Sequence, residues 1–116
     1  QDTGATHAAM FVDCATGRRF VREDIGRHIA IDKLIGSLLR EGVDPSSGFM
    51  FLSSRCALDL AIRCARFGIA IVATISAPTS AVVEFGERVN MTLAAFARKD
   101  RFTVYTHPER IDRAGC

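Results

Sequence analysis

The chain has 116 residues, 48% of them hydrophobic and 24% charged, with three prolines. A chain of this size buries roughly 65% of the surface it exposes when unfolded, so one compact domain is expected and disordered, collagen-like and low-complexity classes are excluded. A net charge of +2 from 15 basic and 13 acidic residues is too small to choose a partner by itself; it implies neither a nucleic acid nor a membrane.

In chain order, the small polar opening Thr3-Gly4-Ala5-Thr6-His7 leads into a strand from Ala8 to Asp13, and Thr16-Gly17 suggests a hairpin turn. Arg19 to Glu23 reads as the returning strand. From Arg27 the residues Ile31, Leu34, Ile35, Leu38 and Leu39 recur at spacings of three and four, and Gly42 closes this amphipathic helix before Asp44-Pro45. Phe49 to Leu52 is a buried strand, with Ser53-Ser54-Arg55 where the next helix should begin. That helix runs from Cys56 to Phe67 and stops at Gly68. The near-continuous apolar run Ile69 to Ile75 predicts the central strand of a parallel arrangement. Ser76-Ala77-Pro78-Thr79 makes a turn in which Thr79 caps a third helix, Ser80 to Asn90, weakened by Gly86. Thr92 to Ala97 is a last inner strand, Arg98 to Arg101 a charged turn, Phe102 to Thr106 an edge strand, and the tail after Pro108 is polar. The order strand, helix, strand, helix, strand, helix, strand after a hairpin predicts a single three-layer α/β/α domain with a mixed sheet.

The apolar stretch from Gly68 to Val83 is broken by Ser76, Pro78 and Ser80 and is too short to cross a bilayer. The start, Gln1-Asp2-Thr3, has neither an initiator methionine nor the pattern of a signal peptide, as in an excised or processed piece. The cysteines Cys14, Cys56, Cys64 and Cys116 form no C-x-x-C pair, so a zinc site is not expected and free thiols in a reducing cytoplasm are.

In open α/β sheets ligands bind beyond the carboxyl ends of parallel strands. Three polar loops fall at such ends: Ser53-Ser54-Arg55, Ser76-Ala77-Pro78-Thr79 and Arg98-Lys99-Asp100-Arg101. Hydroxyls, helix-start N–H groups and guanidinium groups are what a phosphate or pyrophosphate needs. Taken singly, each loop reads better as a helix cap with solvated arginines; convergence of all three shifts the balance toward an anion. The densest polar cluster is Glu23-Asp24-Ile25-Gly26-Arg27-His28 with Asp32-Lys33. Here Asp24 can cap the helix, Arg27 favours an anion, and His28 and Asp32 lie four apart, either as a surface pair or as an acid/base pair. His7 either faces the same cleft or is a plain loop residue. The H-x-E and P-C-x-x-C pattern of zinc-dependent nucleobase deaminases is absent, as are the common ATPase, dinucleotide and serine-hydrolase motifs.

Aligned in order, Thr3 to Ala9, the string Glu23 to Gly36 containing Glu-Asp-Ile-Gly-Arg-His-Ile-Ala-Ile-Asp-Lys, Ser76 to Thr79, and Phe96 to Tyr105 resemble the FdhD family of formate dehydrogenase accessory sulfurtransferases. The resemblance implies a cytidine-deaminase-like fold without the zinc site. It also implies transfer of sulfur, as a persulfide, from a cysteine desulfurase to a molybdenum (or tungsten) bis(guanine dinucleotide) cofactor before that cofactor enters formate dehydrogenase. Phe96, Ala97, Arg98, Lys99, Asp100 and Arg101 match the family's cofactor-binding stretch. Asp24, Arg27, His28, His7, Ser54, Arg55, Ser76 and Thr79 are grouped with them as lining the cleft, GDP is the ligand fragment to test, and a homodimer follows by analogy. The family's persulfide sits on a C-x-x-C loop just upstream of the segment matched by Thr3 to His7. No such loop occurs among these residues, so they should bind cofactor without themselves carrying sulfur. Ser54 and Ile29 replace the family's usual glycine and asparagine. A nucleotide-binding regulatory module on the same fold, without sulfur chemistry, is the alternative.

Overall fold

The computed structural model describes residues 7–53, 57–98 and 101–108, with 27, 96–98, 101 and 102 described at the level of the backbone. A β-hairpin comes first, β1 (His7–Asp13) and β2 (Arg19–Asp24), turning at Gly17 in the left-handed region with φ +78°. The helix α1 (Arg27–Glu41), a single 3-10 turn (Pro45–Ser47) and β3 (Gly48–Leu52) follow. Then come α2 (Leu58–Phe67), β4 (Ile71–Thr74), α3 (Ser80–Val89) and a second hairpin, β5 (Thr92–Arg98) with β6 (Arg101–Thr106).

The predicted elements are all present, with shifted ends. β2 runs on through Asp24, and α1 starts at Arg27 with Gly26 as its N-cap, the later of the two starts the sequence offered. α2 begins at Leu58, two residues later than expected, and β4 is trimmed to four residues. Arg98 and Arg101, read as part of a charged turn, belong to β5 and β6 and pair across the hairpin. Gly86, expected to weaken α3, is buried where a Cβ would lie 2.7 Å from Leu93 Cδ1. Its missing side chain lets α3 approach β5. Gly48 is more demanding, since a Cβ there would fall 1.8 Å from the Val12 carbonyl oxygen.

The six strands form one mixed sheet in the order β2-β1-β3-β4-β5-β6. β1 is antiparallel to both β2 and β3, while β3, β4 and β5 are parallel, so β2, β3, β4 and β5 all point the same way. The three helical crossovers between them all step in one direction across the sheet. Right-handed crossovers that never reverse direction land on one face, and one core results. Ala9, Phe11, Phe20, Met50, Leu52, Val72 and Leu93, which share a face by register, pack with Ala30, Ile31, Leu34 and Leu38 of α1, Leu60, Ala61 and Cys64 of α2, and Val82 of α3. Full burial of each large side chain contributes about 1.5–3 kcal/mol. The described residues therefore make two layers, not the three expected; helices on both faces would have required a reversal in the strand order.

Cys64 is buried, with Sγ 3.6 Å from Met50 Sδ, as expected of a packing cysteine. Cys14 is disulfide-bonded, so the expectation of free thiols is corrected at this residue. Among the described residues no helix is long and apolar enough to cross a membrane.

Candidate functional site

Because β2, β3, β4 and β5 are parallel, their carboxyl ends lie along one edge of the sheet, joined there by the starts of the two reversed strands. The register pairs His7 with Asp24, Leu52 with Thr74, Thr74 with Ala95, and Arg98 with Arg101. The amino ends of α1, α2 and α3 open onto the same edge, since each helix follows one of these strands. His7, Asp24, Arg27, His28, Ser76, Thr79, Phe96, Ala97, Arg98 and Arg101 are thus brought to one rim by the backbone alone. Ser54, Arg55, Lys99 and Asp100 lie outside the described residues.

The rim is long. With strands ~4.8 Å apart, four steps separate β2 from β5 and place Asp24 and Arg98 ~19 Å from each other. The predicted set divides into two ends, one at β2, α1 and α2, the other at the β5–β6 hairpin.

At the first end, most polar groups are engaged in holding the fold. Asp24 pairs with Lys33 at 2.6 Å and accepts from the Gly26 amide at 3.1 Å. The hydrogen bond from Lys33, with help from the Gly26 N–H, holds the Asp24 carboxyl below its ordinary value. It therefore braces the entry to α1 instead of capping the helix. His28 and Asp32 do not pair with each other. His28 Nε2 lies 2.7 Å from Asp59 Oδ2, and Arg63 Nη1 lies 2.8 and 3.0 Å from the two Asp32 carboxylate oxygens. Two rungs, one turn apart, join α1 to α2 across their exposed sides, so neither alternative for His28 and Asp32, a surface pair or an acid/base pair within α1, is formed.

Toward the middle of the rim, Ser53 closes the β1–β3 edge: its Oγ accepts from Ala8 N at 2.8 Å, and its own N–H donates to the Ala8 carbonyl. Thr74 Oγ1 donates to the Ser76 carbonyl at 2.7 Å and bends the chain out of β4. Thr79 caps α3 as predicted, its Oγ1 accepting from Val82 N at 3.3 Å.

Sequence reasoning overlooked an apolar component of this rim. Ile25, Ile29, Leu58 and Ile75 are 74%, 51%, 40% and 53% exposed, all beside helix starts or strand ends. The signal was present for Ile29, which falls outside the predicted stripe of Ile31, Leu34, Ile35, Leu38 and Leu39. Among the described residues, no group of three or more His, Cys, Asp and Glu side chains could hold a metal ion. The rim offers backbone amides, a few hydroxyls and apolar side chains, a set suited to binding and orienting a ligand.

Comparison with known proteins agrees with this reading of the strings. Residues 1–112 match the model of the FdhD/NarQ family. Sulfur carrier protein FdhD of Chromobacterium violaceum is 51% identical over 106 residues, covering 91% of this chain, and that of Bordetella petrii is 44% identical over 109 residues, covering 94%. The chain spans 39% of the length of each of these relatives. A crystal structure of a proposed formate dehydrogenase accessory protein from Desulfotalea psychrophila superposes with a TM-score of 0.83 at 32% identity, covering 94% of this chain and 48% of that one. On the family match and these identities, the chain belongs to the FdhD/NarQ family.

Proposed function

We propose that these residues are the cofactor-binding region of a sulfur carrier that serves formate dehydrogenase. The cargo is the molybdenum (or tungsten) bis(guanine dinucleotide) cofactor, and the sulfur comes as a persulfide from a cysteine desulfurase. The protein works in the cytoplasm as a homodimer, and its fold is a cytidine-deaminase-like one without zinc. The observation that carries the reading is the single rim on which the strand ends, the three helix starts and the Phe96–Arg101 hairpin meet. A pyrophosphate suits backbone N–H groups at helix starts and the paired positions Arg98 and Arg101. Sulfur transfer itself needs a thiolate that accepts and releases sulfur. Cys64 is buried on the inner face of α2 and Cys14 is already bonded, which supports a role in holding cargo for this part of the protein.

Calorimetric titration with GDP tests the proposal. Saturable binding that weakens with salt, and weakens at least about ten-fold in Arg98→Ala, is expected for a phosphate site in the β5–β6 hairpin. Binding unaffected by that substitution rejects the hairpin as the phosphate site. A chain that stays silent toward GDP, also when extended by an upstream C-x-x-C segment, rejects the cofactor reading.

A further inference from the structure

At the edge opposite the rim, the carboxyl ends of α2 and α3 frame a depression of about 470 Å³. Ile62 and Ala65 of α2, Phe85 and Val89 of α3, and Ile69 and Met91 from the segments entering β4 and β5 supply its apolar wall. The two left-handed caps, Gly68 and Asn90, lie at its mouth. Arg66 lines it, and Arg88 stands beside it in the last turn of α3. Both arginines are exposed, and neither makes an ion pair or a hydrogen bond among the described residues. Among the described residues, Glu41 is engaged by Arg18 at 2.9 Å and Glu87 lies 3.6 Å from the His107 ring. Glu84 lies one turn further up α3.

A helix dipole accounts for arginine in a last turn. It does not account for an apolar depression that Arg66 lines and Arg88 neighbours, neither of them ion-paired among the described residues. We propose that this depression docks an acidic segment of a partner protein, with a bulky apolar side chain seated between α2 and α3 and flanking carboxylates on Arg66 and Arg88. Apolar anchors in a pocket with a charged rim are how small interfaces obtain both affinity and orientation. The seven residues of β5 separate this edge from the cofactor rim by ~20 Å, so a docked partner leaves the rim open. The inference does not depend on what the rim binds.

The test uses a peptide of sequence Asp-Glu-Phe-Leu-Glu-Asp, titrated into the 15N-labelled chain at low and high salt. Saturable shifts at Ile62, Ala65, Val89 and Met91 are expected. Affinity should drop about ten-fold in Arg66→Glu and in Arg88→Glu, and binding should vanish when Phe-Leu is replaced by Ser-Ser. Both arginines are exposed, so both variants should fold, which their thermal transitions check. No shifts at millimolar peptide, shifts confined to other surfaces, or affinity indifferent to both substitutions would overturn the proposal. So would a chain that is dimeric by sedimentation and becomes monomeric on Ala65→Trp, because the depression would then hold a second copy.

Discussion

Asp13 shows how much one side chain organises. It is buried at the end of β1, where its carboxylate accepts from Ala15 N at 3.1 Å, Thr16 Oγ1 at 3.0 Å and Ser47 Oγ at 2.9 Å. The Ser47 hydrogen bond, foremost among these, holds its carboxyl below the ordinary value despite burial. A depressed carboxyl favours the folded state above the unfolded pKa of ~3.9, and that contribution is lost as pH falls through the lower folded value. Asp13→Asn should therefore destabilise the chain at pH 7. In urea denaturation, the gap between variant and wild type should narrow steadily as the pH is taken from 5 toward 2. A gap that stays constant with pH would mean that shape, not charge, matters at this position. The Thr16-Gly17 turn was legible because turn chemistry is local. The role of Asp13 was not, because Ser47 is 34 residues away.

At the scale of elements, α1 was the most legible segment and its neighbours were the least. Spacings of three and four located most of its buried stripe: Ile31, Leu34 and Leu38 are fully enclosed and Ile35 partly so, but Leu39, counted with them, turns out to be 66% exposed at the end of the helix. Leu34→Ala should cost about 2–5 kcal/mol, read from chemical denaturation. His28 and Asp32, read as one pair along the helix, instead reach 31 residues forward to Asp59 and Arg63. No periodicity reports which helix lies alongside. These rungs are solvent-exposed, so a double-mutant cycle on Asp32 and Arg63 should return a coupling of about 0.2–1 kcal/mol that shrinks at high salt. Coupling that survives high salt would contradict the exposed geometry. The rungs align the starts of α1 and α2, and with them one end of the rim.

For the whole molecule, the sequence carried the order of elements and the identity of the inner strands, because apolar runs and glycine stops are written locally. It did not carry the side on which each helix lies, which depends on the direction of every crossover together. The same global geometry stretches the predicted site over ~19 Å between Asp24 and Arg98. A single nucleoside diphosphate bound at the β5–β6 hairpin does not reach His28. His28→Ala should accordingly leave GDP affinity within about two-fold, against the loss of about ten-fold in Arg98→Ala; equal losses in the two variants would show a more compact site than the strand spacing allows.

The sheet order also bears on how the chain is made. β2 adds to β1, β3 to the other side of β1, and then β4, β5 and β6 each to the strand before. Every new strand meets an edge that is already exposed and none has to be threaded between two partners. A ribosome delivering this chain from its amino end supplies the strands in the order in which the growing sheet can accept them.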